Sequence, residues 1–278
     1  MSIEFIKKLR NMTGAGMMEC KKALTDSDND FDKAIEYLRK KGRQLSDKRF
    51  DKEAKEGQIT SFISDDKKEA SIVEINCETD FVGKNEEFVN FGHVLAKAVC
   101  NSSVGTVDEL MEIYVNEDKI RALFDDLVLK FKEKIEIKRF EKKVSENGIL
   151  GSYVHFDGSI GAIIEISNIS FSEKVTSTAN DIAMHVVATK PLYLKTEDIP
   201  KETIEKEKEI LASQPDMASK PADIIEKIMI GRINKFYSEN CLIKQAFIKD
   251  DTQTIEKIVS NLNPDAVVSF FDFYELSA

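Results

Sequence analysis

Cysteine and histidine are scarce in this 278-residue chain, and so is clustered positive charge. The four cysteines, Cys20, Cys77, Cys100 and Cys241, stand far apart and form no CxxC pair, so neither a zinc site nor a disulfide framework is indicated and a reducing compartment is expected. The three histidines, His93, His155 and His185, are joined to no cysteine by any motif, and no metal, cofactor or nucleotide site is visible. No apolar run is long enough to span a bilayer, and Met1-Ser2-Ile3-Glu4-Phe5 lacks the basic and then apolar layout of a signal peptide. An Arg-rich transit peptide is missing too, so the expected location is the cytoplasm, away from membranes. Against 50 acidic residues there are only 40 basic ones, a formal charge of −10. Phosphate contacts need clustered Lys and Arg, so direct nucleic-acid binding is disfavoured and a protein partner expected.

What is present suffices for a sizeable core: 42% of the residues are hydrophobic and 32% charged, enough for two or three domains. The stretch Ile72-Val73-Glu74-Ile75-Asn76-Cys77-Glu78-Thr79-Asp80-Phe81-Val82 changes character halfway. Its β-branched first half reads as a buried strand, and Glu78-Thr79-Asp80 then favours a turn or a helix start. Two readings fit the large apolar Phe81 that follows. Asp80 is a helix N-cap with Phe81 stapled onto the next helix, or the turn presents Phe81 as a contact surface.

Residues 1–42 read as a small three-helix module. Ile3, Ile6 and Leu9 share one face, Met17, Met18 and Leu24 fall on a second segment, and Phe31, Ala34, Ile35 and Leu38 follow helical spacing on a third. Gly14-Ala15-Gly16 divides the first two segments, Asp26 to Asp30 offers caps, and Gly42 is expected to end the third helix. So small a unit has little core of its own, which suggests a docking module tethered by the charged linker 43–56.

The remainder is duplicated at an offset of 91 residues without a gap. Gly57 meets Gly148, Ile59 meets Leu150, Ser61 meets Ser152, and Ile72-Val73-Glu74-Ile75 meets Ile163-Ile164-Glu165-Ile166. The first copy spans 57–147; the second spans 148–199 and 241–278, interrupted by a charged helical hairpin over 200–240. Asp157-Gly158 marks a tight hairpin in the second copy, where the first uses Asp65-Asp66-Lys67. Each copy is expected to be a three-stranded antiparallel sheet covered by helices, an α+β architecture. Thr79-Asp80-Phe81 faces Ser170-Phe171-Ser172 in the other copy, so the motif belongs to one copy only, which suggests a task besides folding.

Two long stretches resemble signatures of the elongation factor Ts family. Leu9-Arg10-Asn11-Met12-Thr13-Gly14-Ala15-Gly16-Met17-Met18-Glu19-Cys20-Lys21-Lys22-Ala23-Leu24 is similar to its N-terminal signature, and Asn76-Cys77-Glu78-Thr79-Asp80-Phe81-Val82 to its second. Gly151-Ser152-Tyr153-Val154-His155, Asp181-Ile182-Ala183-Met184-His185, Glu205-Lys206-Glu207 and Phe247-Ile248-Lys249-Asp250 add support, so the resemblance covers nearly the whole chain. It implies an N-terminal ubiquitin-associated-like module, a duplicated core and a coiled-coil arm. It also implies a guanine-nucleotide exchange factor, without bond-making chemistry, for GDP-bound elongation factor Tu, the assembly being open between a homodimer and a two-to-two complex. Thr79, Asp80, Phe81 and Val82 would then form the exchange wedge near the GTPase's magnesium and phosphate site, Met17, Met18 and Lys21 the contact of the N-terminal module, and His155 would face the GTPase's third domain. Ala246 departs from a common proline of the family, and the chain stops soon after Tyr274, where many relatives continue into a further helical module. A cysteine enzyme built on Cys77 and a ubiquitin-like-binding adaptor are the competing classes.

Overall fold

The computed structural model describes residues 3–49, 51–212 and 222–276. Three helices open it: α1 (Ile3–Thr13), α2 (Met17–Asp26) and α3 (Phe31–Lys48). Gly14 adopts φ +67° to turn the chain between the first two, and Asp30 Oδ1 accepts the Lys33 N–H at 3.1 Å where α3 starts. Leu9, Cys20, Ala23, Leu24, Ala34 and Leu38 are buried together, and Leu129 from the body of the protein completes their core. The module is therefore docked rather than loosely tethered.

α3 runs through Gly42, the expected stop, and ends at Lys48, so part of the stretch read as a linker is helix. The reason is packing: a Cβ on Gly42 would lie 2.5 Å from the Asp125 carbonyl oxygen. The glycine lets two helices approach closely instead of supplying a C′ turn. Arg43 Nε meets Asp125 Oδ2 at 2.7 Å, and Arg39 Nη2 meets Asp118 Oδ1 at 2.9 Å along the same seam.

The first copy follows as β1 (Glu56–Ile63), β2 (Glu69–Cys77), α4 (Asp80–Gly83), α5 (Glu86–Cys100), α6 (Val107–Met111), a short ribbon of β3 (Tyr114–Val115) and β4 (Asp118–Lys119), α7 (Ile120–Phe131) and β5 (Ile135–Val144). The second has β6 (Gly148–Val154), β7 (Ile160–Ser167), α8 (Glu173–Thr189), α9 (Lys201–Ala212), α10 (Ala222–Asn240), a ribbon of β8 (Ala246–Phe247) and β9 (Asp250–Thr254), α11 (Ile255–Leu262) and β10 (Val267–Glu275). Both sheets are three-stranded and antiparallel, ordered β1-β2-β5 and β10-β7-β6, as the duplication predicts. The α+β reading holds. Gln214-Pro215 and Pro221, read as the break and restart inside the helical hairpin, lie outside the described residues.

The central strands are buried on both faces, which is why β2 and β7 read as β-branched runs. Val73 and Ile75 pack under α5 and α7 with Phe88, Leu95 and Phe124. Ile164 and Ile166 do the same under α8 with Ile182 and Val186. The opposite faces meet: Ile59, Ala70 and Ile72 pack against Leu150, Ile163 and Tyr274. Across this seam the Ile59 N–H donates to Gly158 O at 2.7 Å, and its counterpart Leu150 N–H donates to Lys67 O at 2.9 Å. Reciprocal contacts between equivalent residues define a pseudo-two-fold axis. Lys67 and Gly158 both take the left-handed conformation, with φ 59° and 72°, so the Asp65-Asp66-Lys67 turn does the same work as Asp157-Gly158.

Candidate functional site

β2 leaves its sheet at Cys77, and the next residues are held from several sides. Glu78 Oε1 accepts from Arg49 Nη1 at 2.6 Å and from the Lys134 N–H at 2.5 Å. Thr79 donates twice to Glu133, from its N–H at 3.0 Å and from its hydroxyl at 2.7 Å. The Cys77 thiol donates to Thr79 O at 3.1 Å. Fixed in this way, Thr79 and not Asp80 caps the single turn of α4, its Oγ accepting the Val82 N–H at 3.4 Å.

This corrects the capping alternative. Asp80 is the first residue of α4 and pairs with Lys84 Nζ at 2.8 Å; that hydrogen bond holds its carboxyl below the usual range. Phe81 staples nothing, since it is 83% exposed. Val82 is buried in the core of the first copy, and Gly83 packs beneath, where a Cβ would lie 3.2 Å from Gly57 O. A short turn with a buried Val and a solvated Phe next to each other is a rigid mount for an apolar side chain. Exposure of a large aromatic on such a mount leaves its apolar surface in water, which makes it a candidate contact residue.

In α2, Met18 is 74% exposed and Met17 37% exposed, and Lys21 is exposed on the same helix. Glu19, between them, pairs with Lys41 at 3.1 Å and with Lys132 at 3.4 Å. Burial pushes the Glu19 carboxyl up, but bonds from Lys41 and the Gly16 N–H outweigh it and bring it below the ordinary value. Lys132, left-handed at φ 57°, ends α7 immediately before Glu133. Two adjacent residues thus tie down both candidate elements: Lys132 holds α2, and Glu133 holds Thr79.

His155 lies at the tip of the β6–β7 hairpin, its Nδ1 3.0 Å from Asp157 Oδ1. Bonds from the Ser159 N–H and hydroxyl, then His155, pull the Asp157 carboxyl down to about 2. The family resemblance points to His155 and not to its neighbour Phe156, which is 92% exposed. An aromatic placed directly before an Asp-Gly turn was the available signal. This tip is not remote from α4: Gln58 Nε2 donates to Gly83 O at 2.9 Å and to Asp157 O at 3.3 Å. Glu133 and Gln58 were missed because neither lies in a motif; they act through contacts between segments far apart in sequence.

Cys77 is buried and desolvation pushes its thiol up to about 12, so it stays protonated at neutral pH and lacks the character of a nucleophile. His185, also buried, is held by Gln245 Oε1 at 2.9 Å in a structural role. Among the described residues no group of three or more His, Cys, Asp or Glu could hold a metal ion, and no helix is long and apolar enough to cross a membrane.

The model of the family described as "Elongation factor TS" matches residues 78–277, most of the chain. Curated relatives named elongation factor Ts agree over still more of it. That of Clostridium botulinum (strain Eklund 17B / Type B) is 41% identical over 95% of this chain and 88% of its own length. That of Clostridium perfringens (strain SM101 / Type A) is 42% identical over 91% and 84%. That of Clostridium kluyveri (strain ATCC 8527 / DSM 555 / NBRC 12016 / NCIMB 10680 / K1) is 44% identical over 93% and 85%. With the duplicated α+β core and the Thr79–Val82 mount in place, the chain belongs to the elongation factor Ts family.

Proposed function

We propose that the chain is a guanine-nucleotide exchange factor that binds GDP-loaded elongation factor Tu and promotes GDP release so that GTP can rebind. The observation that carries this reading is Phe81, 83% exposed on a turn that Thr79, Glu133 and the buried Val82 hold in place. Family membership supports it. Phe81 and Asp80 wedge near the GTPase's magnesium and phosphate site, while Met17, Met18 and Lys21 on α2 and His155 on the second copy contact the GTPase elsewhere. No bond is made or broken by the factor.

The mechanism is a free-energy coupling. If factor and GDP bind the GTPase antagonistically, each weakens the other by the same ratio, and a short-lived ternary complex lets either one leave. The direction of exchange follows nucleotide concentrations. Burial of one Phe side chain contributes about 1.5–3 kcal/mol, roughly one to two powers of ten in affinity. That is too little to hold a partner and distort its nucleotide site at once, so contacts beyond the wedge are required, and α2 and the hairpin tip supply them.

Stopped-flow release of a fluorescent GDP analogue from elongation factor Tu tests the reading. Wild-type chain should accelerate release strongly and Phe81→Ala should lose most of that acceleration. Equal acceleration by both would remove the wedge role from Phe81, and no acceleration by folded wild-type protein would overturn the exchange function.

A further inference from the structure

Sulfur is distributed unevenly over this molecule. Cys20, Cys77, Cys100 and Cys241 are all free and buried, and desolvation pushes each thiol up, that of Cys77 to about 12. None offers a thiolate to an oxidant at neutral pH. The thioethers are arranged the other way. Among the described residues the exposed methionines are Met12, Met17 and Met18, at 56%, 37% and 74%, whereas Met111 is buried and Met184 and Met229 are half-buried. All three exposed ones fall within residues 12–18, on either side of the turn between α1 and α2.

That turn is fixed from beneath, so the exposure is built in. The Thr13 hydroxyl donates to Leu9 O at 2.8 Å, and Ala15 is fully buried with Leu9 and Cys20. Gly14 lies against α7, where a Cβ would fall 2.9 Å from Lys130 Cδ. Glu19 ties α2 to Lys41 and Lys132. A leucine at each of the three positions would present a similar apolar area. What a thioether adds is a polarisable sulfur whose lone pair reacts with peroxide without first losing a proton.

We propose that Met12, Met17 and Met18 are a reversible oxidation site, at which hydrogen peroxide converts the thioethers to sulfoxides and so weakens docking of the N-terminal module on the GTPase. The inference rests on the reading of α2 as a contact surface. In each step the methionine Sδ attacks one peroxide oxygen with its lone pair, the O–O bond breaks and an S–O bond forms. The proton of the transferred oxygen passes to the departing hydroxide, which leaves as water. The sulfur is oxidised by two electrons and the peroxide reduced by two. A flexible apolar side chain becomes a polar one, which loses the gain from burial against a partner. Phe81 stands outside the reaction, so affinity falls and the limiting rate of release is kept.

The test treats full-length chain with hydrogen peroxide, removes the excess with catalase, and maps sulfoxides by peptide mass. Treated and untreated chain are then titrated against untreated elongation factor Tu loaded with a fluorescent GDP analogue. Sulfoxide is expected first at Met12, Met17 and Met18, with the half-saturating concentration raised about tenfold and the limiting rate within about twofold. Methionine sulfoxide reductase with dithiothreitol is expected to reverse the change, and dithiothreitol alone to leave it. The triple variant Met12→Leu, Met17→Leu, Met18→Leu, compared with itself before and after peroxide, is expected to show no shift. Thermal melting of the treated wild type is expected to be unchanged. Sulfoxide appearing first at Met184 or Met229, an unshifted titration despite three sulfoxides, an equal shift in the triple variant, or recovery by dithiothreitol alone each overturns the proposal. Untreated wild type that fails to accelerate release overturns the exchange reading instead, and this inference with it.

Discussion

Ser61 Oγ donates to Ser152 Oγ at 3.3 Å, and the two serines are each other's counterparts in the duplication, 91 residues apart. A residue that touches its own equivalent must lie beside the axis relating the two halves. Ile72 and Ile163 are likewise counterparts 91 residues apart, both fully buried in the cluster between the sheets. Truncating either removes the same contacts seen from opposite sides. Ile72→Ala and Ile163→Ala are each expected to cost about 2–5 kcal/mol in urea unfolding, by similar amounts. A large inequality between them would show that the seam is not energetically symmetric.

Glu133 accepts both the N–H and the hydroxyl of Thr79. Glu133→Ala leaves those donors without their acceptor at a cost of about 1–3 kcal/mol. Nucleotide release is expected to slow although Phe81 is intact, with faster hydrogen exchange at the amides of Thr79 to Gly83. Unaltered exchange at those amides would mean that Val82 alone holds the mount.

Asp126 on α7 faces Arg39 at 3.6 Å, with Asp118 and Asp125 as like-charged neighbours, and burial pushes its carboxyl up to about 6 against the pull of Arg39. Its Oδ1 is buried without a hydrogen-bond partner. A folded-state value above the unfolded one means that the native state binds the proton more tightly. The contribution to stability is full below the unfolded value of about 3.9 and is lost as pH rises through about 6. Asp126→Asn is expected to raise the melting temperature at pH 7.5 by about 2–4 °C, the gain vanishing towards pH 4. A gain independent of pH would assign the effect to packing.

At Gly42 two effects oppose each other. Alanine is favoured over glycine inside a helix by about 1 kcal/mol. A Cβ there meets a backbone carbonyl oxygen at 2.5 Å, which no rotamer change relieves. The steric term wins: Gly42→Ala is expected to destabilise by about 1–3 kcal/mol and to make α1 to α3 more susceptible to proteolysis. Stabilisation instead would show that the α3–α7 seam yields easily.

Much of this was legible in the sequence because it is periodic. The buried runs Ile72–Ile75 and Ile163–Ile166 and the Asp157-Gly158 turn are local signals, and the structure forms each as read. The errors fall where a residue acts across the chain. Gly42 looks like a helix terminator until Asp125 is placed beside it. Asp80 looks like a cap until Glu133 fixes Thr79 in that role. Phe156 lies in no motif, and only its solvent exposure sets it apart.

The seam at the pseudo-two-fold axis is smaller than the core inside either half, since Ile59, Ala70, Ile72, Leu150, Ile163 and Tyr274 are its fully packed residues. Each half meanwhile keeps a complete sheet and its own helices on one side of the turn between β5 and β6. Cutting the chain at Glu146 would sever one covalent link and leave both larger cores whole. The protein is thus organised as a tethered heterodimer of its own two halves, and fragments co-expressed without the tether are expected to co-purify through the faces that meet at this seam.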